Sequence, residues 1–270
     1  MKYSVCTFVS IVGIICASCA KPGAKPSALA AAQEPDPAMV RVQNAAMVLP
    51  DDARVSFLAA FLADPKSFYA LLDTVNAFSD AHGESLRLVD KRHELSPDYQ
   101  PADLVSLDAS GLAVSKPRML LAQAAVDALQ DMLTAARQDG IRLEIGSAFR
   151  SYEYQAGLFE RNVQRFGLAE TERFSARPGQ SQHQLGTAVD FAPIDESFGP
   201  SAAGMWVQAN AARYGFSQSF PAEMEAVTGY MEESWHWRWL GSDALMLQRS
   251  YFMDVQQYML EFLHAWKQAG

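Results

Sequence analysis

The sequence predicts an α+β protein, and three observations carry that prediction. Hydrophobic residues make up 49% of the 270 positions and aromatics 11%, enough to bury a core and too many for a disordered chain. Apolar residues recur at three- and four-residue spacing near both ends, while short alternating stretches such as Ile141-Arg142-Leu143-Glu144-Ile145 interrupt the middle. The two kinds of segment mix without the regular strand-helix-strand alternation of a doubly wound sheet. The length allows one medium domain with an appendage, not two large domains. A net charge of −9 with no Lys/Arg cluster argues against nucleic acid as a partner, because such binders need cations to displace counterions. A small uncharged or zwitterionic substrate fits better.

At the N-terminus, Lys2 precedes an apolar run from Val5 to Ala17 that ends at Ala17-Ser18-Cys19, the order of charges and small residues in a signal peptide. The run is short for a membrane span. Cleavage after residue 18 leaves Cys19 first, which resembles the lipid-modified cysteine of bacterial lipoproteins, although Cys16 stands where those sequences usually carry Leu. All three cysteines, Cys6, Cys16 and Cys19, lie in this leader, so the folded part has no pair for a disulfide. Residues 19–37 are rich in Ala and Pro and read as a linker. The expectation is an exported protein of the periplasm or cell envelope, held to a membrane by a lipid at Cys19.

Within residues 38–84, Phe57, Leu58, Phe61, Leu62, Phe68, Leu71, Leu72 and Val75 predict two or three short helices punctuated by Pro65, an N-terminal helical segment with no catalytic spacing. Residues 85–270 read as the main domain. Leu86 to Val89 is a strand candidate, and the prolines between Pro97 and Leu104 predict an irregular arm. A helix is expected over Pro117 to Gln138, stopped by Gly140, and a strand over Ile141 to Ile145. Ser151 is placed to cap the next helix, which Gly167 ends, so Arg150 falls at a strand-to-helix junction facing a cleft. A strand around Thr187 to Phe191, a helix near Ala202 to Tyr214, a strand over Trp235 to Trp239 and one long C-terminal helix capped by Ser242 complete the chain.

The chemistry concentrates around two of the five histidines. His183 lies in Ser181-Gln182-His183-Gln184-Leu185-Gly186-Thr187-Ala188-Val189-Asp190. A turn at Gly186 followed by a strand puts Asp190 on an apolar element, which is costly unless a cation meets the carboxylate. His236 alternates with Trp235 and Trp237, so its imidazole faces away from both indoles toward the side Asp190 can share. Two imidazoles and one carboxylate make a three-ligand site for Zn²⁺ with one coordination position open. Glu233, three residues before His236, is the candidate base. A His near an Asp is also an ordinary surface or core pair, and spacing alone does not decide between the two.

Ser-x-His-x-x-Gly-x-Ala-x-Asp from Ser181 to Asp190, Glu-Ser-Trp-His from Glu233 to His236, and Arg-Ser-Tyr-x-x-Gln from Arg150 to Gln155 resemble the VanY-like D-alanyl-D-alanine carboxypeptidases, zinc peptidases of bacterial cell-wall metabolism. The resemblance extends through Leu88-Val89-Asp90-Lys91 and Tyr99-x-Pro-x-Asp-Leu, and covers about Leu86 to Gly241. It implies a hedgehog- or D-Ala-D-Ala-peptidase-like fold, a small central antiparallel sheet flanked by helices. It also implies His183, Asp190 and His236 as ligands of one Zn²⁺, Glu233 as general base for zinc-bound water, and Arg150 as partner of the oxyanion. Gln155 and Ser181 would hold the substrate's terminal carboxylate. The implied activity is release of C-terminal D-Ala from peptidoglycan stem peptides. An L,D-carboxypeptidase on tetrapeptide stems, or a non-catalytic zinc-containing module that binds wall peptides or a protein, stands as the alternative. Departures from the family pattern fall at Ser219-Phe220-Pro221 and at Trp237 and Trp239, bulky residues expected to narrow or re-floor a subsite. Specificity between D,D, L,D and internal cleavage, and oligomeric state, are not readable from these letters.

Overall fold

The computed structural model describes residues 36–82 and 85–269; the leader, Cys19 and most of the expected linker lie outside them. Three helices come first, α1 (Pro37–Ala45), α2 (Asp51–Ala63) and α3 (Pro65–Ala81). Pro65 begins α3 rather than breaking it, because its fixed φ and missing N–H suit the first helical turn, and the Asp64 carboxylate caps that turn by accepting from the Ser67 N–H at 3.1 Å. The apolar faces of these helices do not close on themselves. Phe57, Phe61 and Phe68 contact one another, and Phe57 and Phe68 carry the cluster on to Phe252 and Phe262 from the far end of the chain, each ring burial contributing about 1.5–3 kcal/mol.

The C-terminal element is two helices, α9 (Ser242–Tyr251) and α10 (Gln256–Gln268), not the single long one expected. Met253 and Asp254 adopt φ of 55° and 59°, and the Gln248 amide holds the break by donating to the carbonyl and side chain of Asp254. Ser242 is the first helical residue, and its predecessor Gly241 occupies the cap position without a side-chain bond.

Between these helices in the chain lie strands β1 (Leu104–Ser106), β2 (Leu120–Ala122), β3 (Ile145–Ser147), β4 (Ala188–Phe191), β5 (Phe216–Gln218) and β6 (His236–Trp239), with helices α4 (Gln123–Gln138), α5 (Tyr152–Phe166), α6 (Leu168–Phe174), α7 (Ala202–Asn210) and α8 (Glu225–Thr228). Strands β1 and β2 pair as a small ribbon, and the other four form one antiparallel sheet in the order β3-β4-β6-β5. The α+β expectation, a small antiparallel sheet flanked by helices with a helical N-terminal extension, therefore holds.

Several boundaries differ from the expected ones. Residues 120–122 are strand, so the helix begins at Gln123 rather than Pro117, its buried face formed by Val126, Leu129, Met132 and Leu133. The strand expected over Ile141 to Ile145 starts only at its last residue, because the ladder to β4 begins at the Ile145–Phe191 pair. Leu86 to Val89 is not a strand. The backbone carbonyls of Ser85 and Arg87 are taken by one nitrogen of the buried Arg238 guanidinium, at 2.7 Å each, so they face a side chain instead of a ladder. Burial brings the Arg238 pKa down to about 9.

Period-two alternation sorts the sheet. Val189, Phe191, Trp237 and Trp239 point into a core shared with α4 and α7, while Asp190 and His236 emerge on the opposite face. Trp237 and Trp239 are thus core residues, and the expectation that they shape a subsite is overturned by the pleat. Helix α7 runs against the loop before it so closely that a Cβ on Gly204 would lie 2.1 Å from the Phe198 carbonyl oxygen. Gly204→Ala is expected to destabilise the domain by about 2 kcal/mol and lower Tm by about 4–8 °C. An unchanged melting curve would contradict that contact.

Candidate active site

Asp190 and His236 are direct partners across the antiparallel pair β4–β6, which brings side chains on one face within reach of each other. His183 arrives from a 3₁₀ turn over Gln182–Leu185, capped by the Ser181 hydroxyl, which accepts from the His183 N–H at 3.3 Å. Gly186 then reverses the chain into β4 with φ of 69°, and a Cβ there would meet Leu104 at 2.8 Å, so a glycine is needed on both counts. Arg150 lies just after β3, where its N–H donates to the His183 carbonyl and ties the two loops together.

The result is a buried group in which one ligand atom each from His183, Asp190 and His236 lies within 4.8 Å of the others. His183 Nε2 stands 3.2 Å from Asp190 Oδ2, and His236 Nδ1 stands 3.0 Å from Asp190 Oδ1. Glu233 sits beside them, its Oε2 3.6 Å from His236 Nδ1, and an Arg150 nitrogen lies 3.7 Å from Asp190 Oδ2. These residues, with Gln155 and Ser181, border one cleft of about 690 Å³, rimmed by Phe166, Phe174, Ile194 and Trp235. Every site residue expected from the sequence is therefore in one place.

The outer partners of the imidazoles decide what the group can hold. His183 Nδ1 donates to the Ala148 carbonyl at 2.7 Å, and a carbonyl can only accept, so Nε2 carries the lone pair. That Nε2 is buried and makes no hydrogen bond. His236 Nε2 meets Gln182 Oε1 at 3.2 Å and Nδ1 meets Asp190 Oδ1 at 3.0 Å, so both ring nitrogens face acceptors and compete for the proton of the neutral ring. Burial first, then the Arg150 charge, push His183 down to about 4, so at neutral pH it does not meet Asp190 as a cation. Burial alone would raise Asp190, but the two imidazoles outweigh it and hold the carboxylate well below its ordinary range. A divalent cation held by His183 Nε2, His236 Nδ1 and Asp190 would take lone pairs from both imidazoles and compensate the carboxylate charge together. Nitrogen, nitrogen and oxygen donors suit Zn²⁺, so the residues fit that metal.

Glu233 is pushed up, by burial and then by Asp190, with Arg150 opposing. Gln155 is buried and donates to the Ala176 carbonyl at 2.7 Å, leaving one N–H for the cleft; Ser181, as an acceptor from His183, keeps its hydroxyl proton to give. Gln182 was not singled out from the sequence, and Phe220, 4.8 Å from the His236 ring, was noted only within the departure Ser219-Phe220-Pro221. Gln182 occupies an unspecified position of its motif, so nothing marked it except its neighbour.

A sheet face that gathers two histidines, an aspartate and an adjacent glutamate in one cleft describes an α+β domain with a metallopeptidase-type donor set. This chain belongs to the VanY family, whose model, described as D-alanyl-D-alanine carboxypeptidase, matches residues 118–242. The YodJ protein of Bacillus subtilis (strain 168) is 34% identical over 180 residues, 64% of this chain and 66% of that protein. The D-alanyl-D-alanine carboxypeptidase of Enterococcus faecalis (strain ATCC 700802 / V583) is 33% identical over 125 residues, 43% of this chain and 47% of that protein. The bifunctional D-Ala-D-Ala dipeptidase and D-Ala-D-Ala carboxypeptidase VanXYC of Enterococcus gallinarum is 30% identical over 190 residues, 67% of this chain and 93% of that protein. The chain thus spans just under two thirds of the first of these relatives and about half of the second. Among solved structures, the LdcB LD-carboxypeptidase superposes with a TM-score of 0.57 at 32% identity, covering 64% of this chain and 89% of that one. A mutant of the vancomycin-resistance D,D-pentapeptidase VanY in complex with Zn(II) gives 0.54 at 27% identity, covering 66% and 98%.

Proposed function

We propose that this chain is a zinc-dependent D-alanyl-D-alanine carboxypeptidase that releases the terminal D-Ala from peptidoglycan stem peptides. The observation that carries the reading is the buried convergence of His183, Asp190 and His236 beside Glu233, with the His183 Nε2 lone pair turned inward. Family membership and the D-Ala-D-Ala activities named for the relatives support it. His183, Asp190 and His236 would hold the ion, which supplies a Lewis acid and lowers the pKa of water to about 7.

The remaining work falls to the chain's own residues. Glu233 accepts the proton of the attacking water and returns it to the departing amine; a raised carboxylate is suited to carrying a proton near neutral pH. Arg150 donates to the oxyanion that develops on the scissile carbonyl. Gln155 and Ser181 offer N–H and O–H donors to the substrate's terminal carboxylate, which confines cleavage to a chain end. The same reading puts the domain in the cell envelope, tethered through Cys19, on the support of the leader's sequence.

Purified protein incubated with stem pentapeptide and tetrapeptide, with and without chelator, tests this by following free D-alanine. Chelator-sensitive release from pentapeptide is expected. Release from tetrapeptide alone would reassign the enzyme as an L,D-carboxypeptidase, the reading favoured by its likeness to LdcB. No release from a zinc-loaded sample would leave a binding module. Arg150→Ala is expected to lower kcat/KM by about 10²–10³-fold with zinc content unchanged. A variant as active as the parent would remove Arg150 from the oxyanion role.

A further inference from the structure

We infer that Gln182 is a positioning residue that keeps His236 in the tautomer able to bind metal, and that Ser219 fixes its orientation. The inference rests on His236 being a ligand, as in the proposed function. A neutral imidazole carries one proton, and in His236 two sites compete for it. Nδ1 faces carboxylate oxygens of Asp190 at 3.0 Å and Glu233 at 3.6 Å, both of which draw the proton to Nδ1. A protonated Nδ1 has no lone pair for a metal.

Gln182 Oε1, 3.2 Å from His236 Nε2, is the acceptor that draws the proton to the other side of the ring. A glutamine amide presents either oxygen or NH₂, so its orientation needs a cause. The Ser219 hydroxyl donates to the same Oε1 at 2.7 Å, which favours oxygen at that corner. Gln256 Oε1, held by its own Nε2 donating to the Ser217 carbonyl at 3.3 Å, is a second acceptor 3.2 Å from that hydroxyl, and the shorter 2.7 Å contact assigns the one proton to Gln182. Gln182, Ser219 and Gln256 are all buried, so water does not substitute for these partners. Gln256 is the first residue of α10, which packs with the N-terminal helices, so the helical layer reaches the site through this chain of side chains. Ser219, a departure from the sequence pattern, thereby acquires a role.

The test measures zinc affinity of the full chain by competition with a chromophoric chelator. Gln182→Leu is expected to bind zinc about 10–100-fold more weakly, the usual cost of removing a ligand's outer partner. Gln182→Glu, which keeps an oxygen at that corner, is expected to recover affinity to within about threefold of the parent. Gln182→Met carries the same expectation as leucine if the leucine variant does not fold. In ¹⁵N-labelled, zinc-loaded protein the His236 Nε2–H is expected to exchange slowly in the parent and fast in the leucine or methionine variant. Affinity within twofold of the parent for those variants, or a glutamate variant as weak as they are, overturns the inference and leaves the proposed function standing. A parent that binds no zinc overturns both.

Discussion

Glu233→Gln is expected to keep its metal and lose turnover by about 10²–10⁴-fold, the range for removing a general acid–base group. The carboxylate is close to the donor group yet outside it: its oxygen is 3.6 Å from His236 Nδ1, while the mutually close ligand atoms come from His183, Asp190 and His236. Its side chain is only 13% exposed, and burial followed by the Asp190 charge raises its proton affinity. Glutamine matches the shape and keeps the hydrogen-bonding capacity, but it cannot take a proton from water or return one to an amine. The expected signature is zinc content equal to the parent by mass spectrometry, with D-alanine release near background. Unchanged turnover would remove Glu233 from the reaction. Loss of zinc would instead make it a ligand, and the open position that distinguishes a catalytic from a structural site would disappear.

The parts of this arrangement legible in the sequence were those fixed by local chemistry. Ser151 and Gly167 bound α5 because a hydroxyl satisfies an orphan N–H at one end and a residue at φ of 81° ends the other. Alternation from His236 to Trp239 showed that His236 faces away from the Trp237 and Trp239 indoles, whereas Trp235, expected on their side, precedes the strand and rims the cleft. The register that sets Asp190 opposite His236, 46 residues on, is a tertiary fact. Three-residue strands such as Leu120–Ala122 are shorter than any period, and inside an apolar run they read as helix. The C-terminal break was hidden for the same reason: Leu247, Phe252, Met259 and Phe262 continue one apolar series across it, all facing the phenylalanines of α2 and α3. Those N-terminal helices were recognisable as helices, but what they cover was not, since their partners lie at the opposite end of the chain. Gln182 shows the limit most sharply. Its value depends on an oxygen 3.2 Å from a ring nitrogen 54 residues away, and no spacing rule encodes that.

Asp190→Asn is expected to abolish the thermal stabilisation that zinc confers. A ligand that binds only the folded state stabilises it by about 4 kcal/mol at a thousandfold excess over Kd, which for a domain of this size corresponds to a rise in Tm of about 8–16 °C. Asparagine keeps the volume, so the sheet and its β4–β6 pairing should persist, but it replaces the one anionic donor between two imidazoles with an amide. It also removes the carboxylate 3.7 Å from Arg150, leaving uncompensated the cation whose charge acts on His183. Metal affinity therefore falls twice, through the lost donor and through the uncompensated arginine. Differential scanning fluorimetry in chelator and in zinc separates the terms. The parent should show the full rise, and the variant should melt near the metal-free parent in both buffers, with a zinc-induced rise below about 4 °C. A variant that keeps the parent's zinc-induced rise would mean that the metal, if it binds, does so elsewhere, and Glu233 and Arg150 would then lose the centre their roles require.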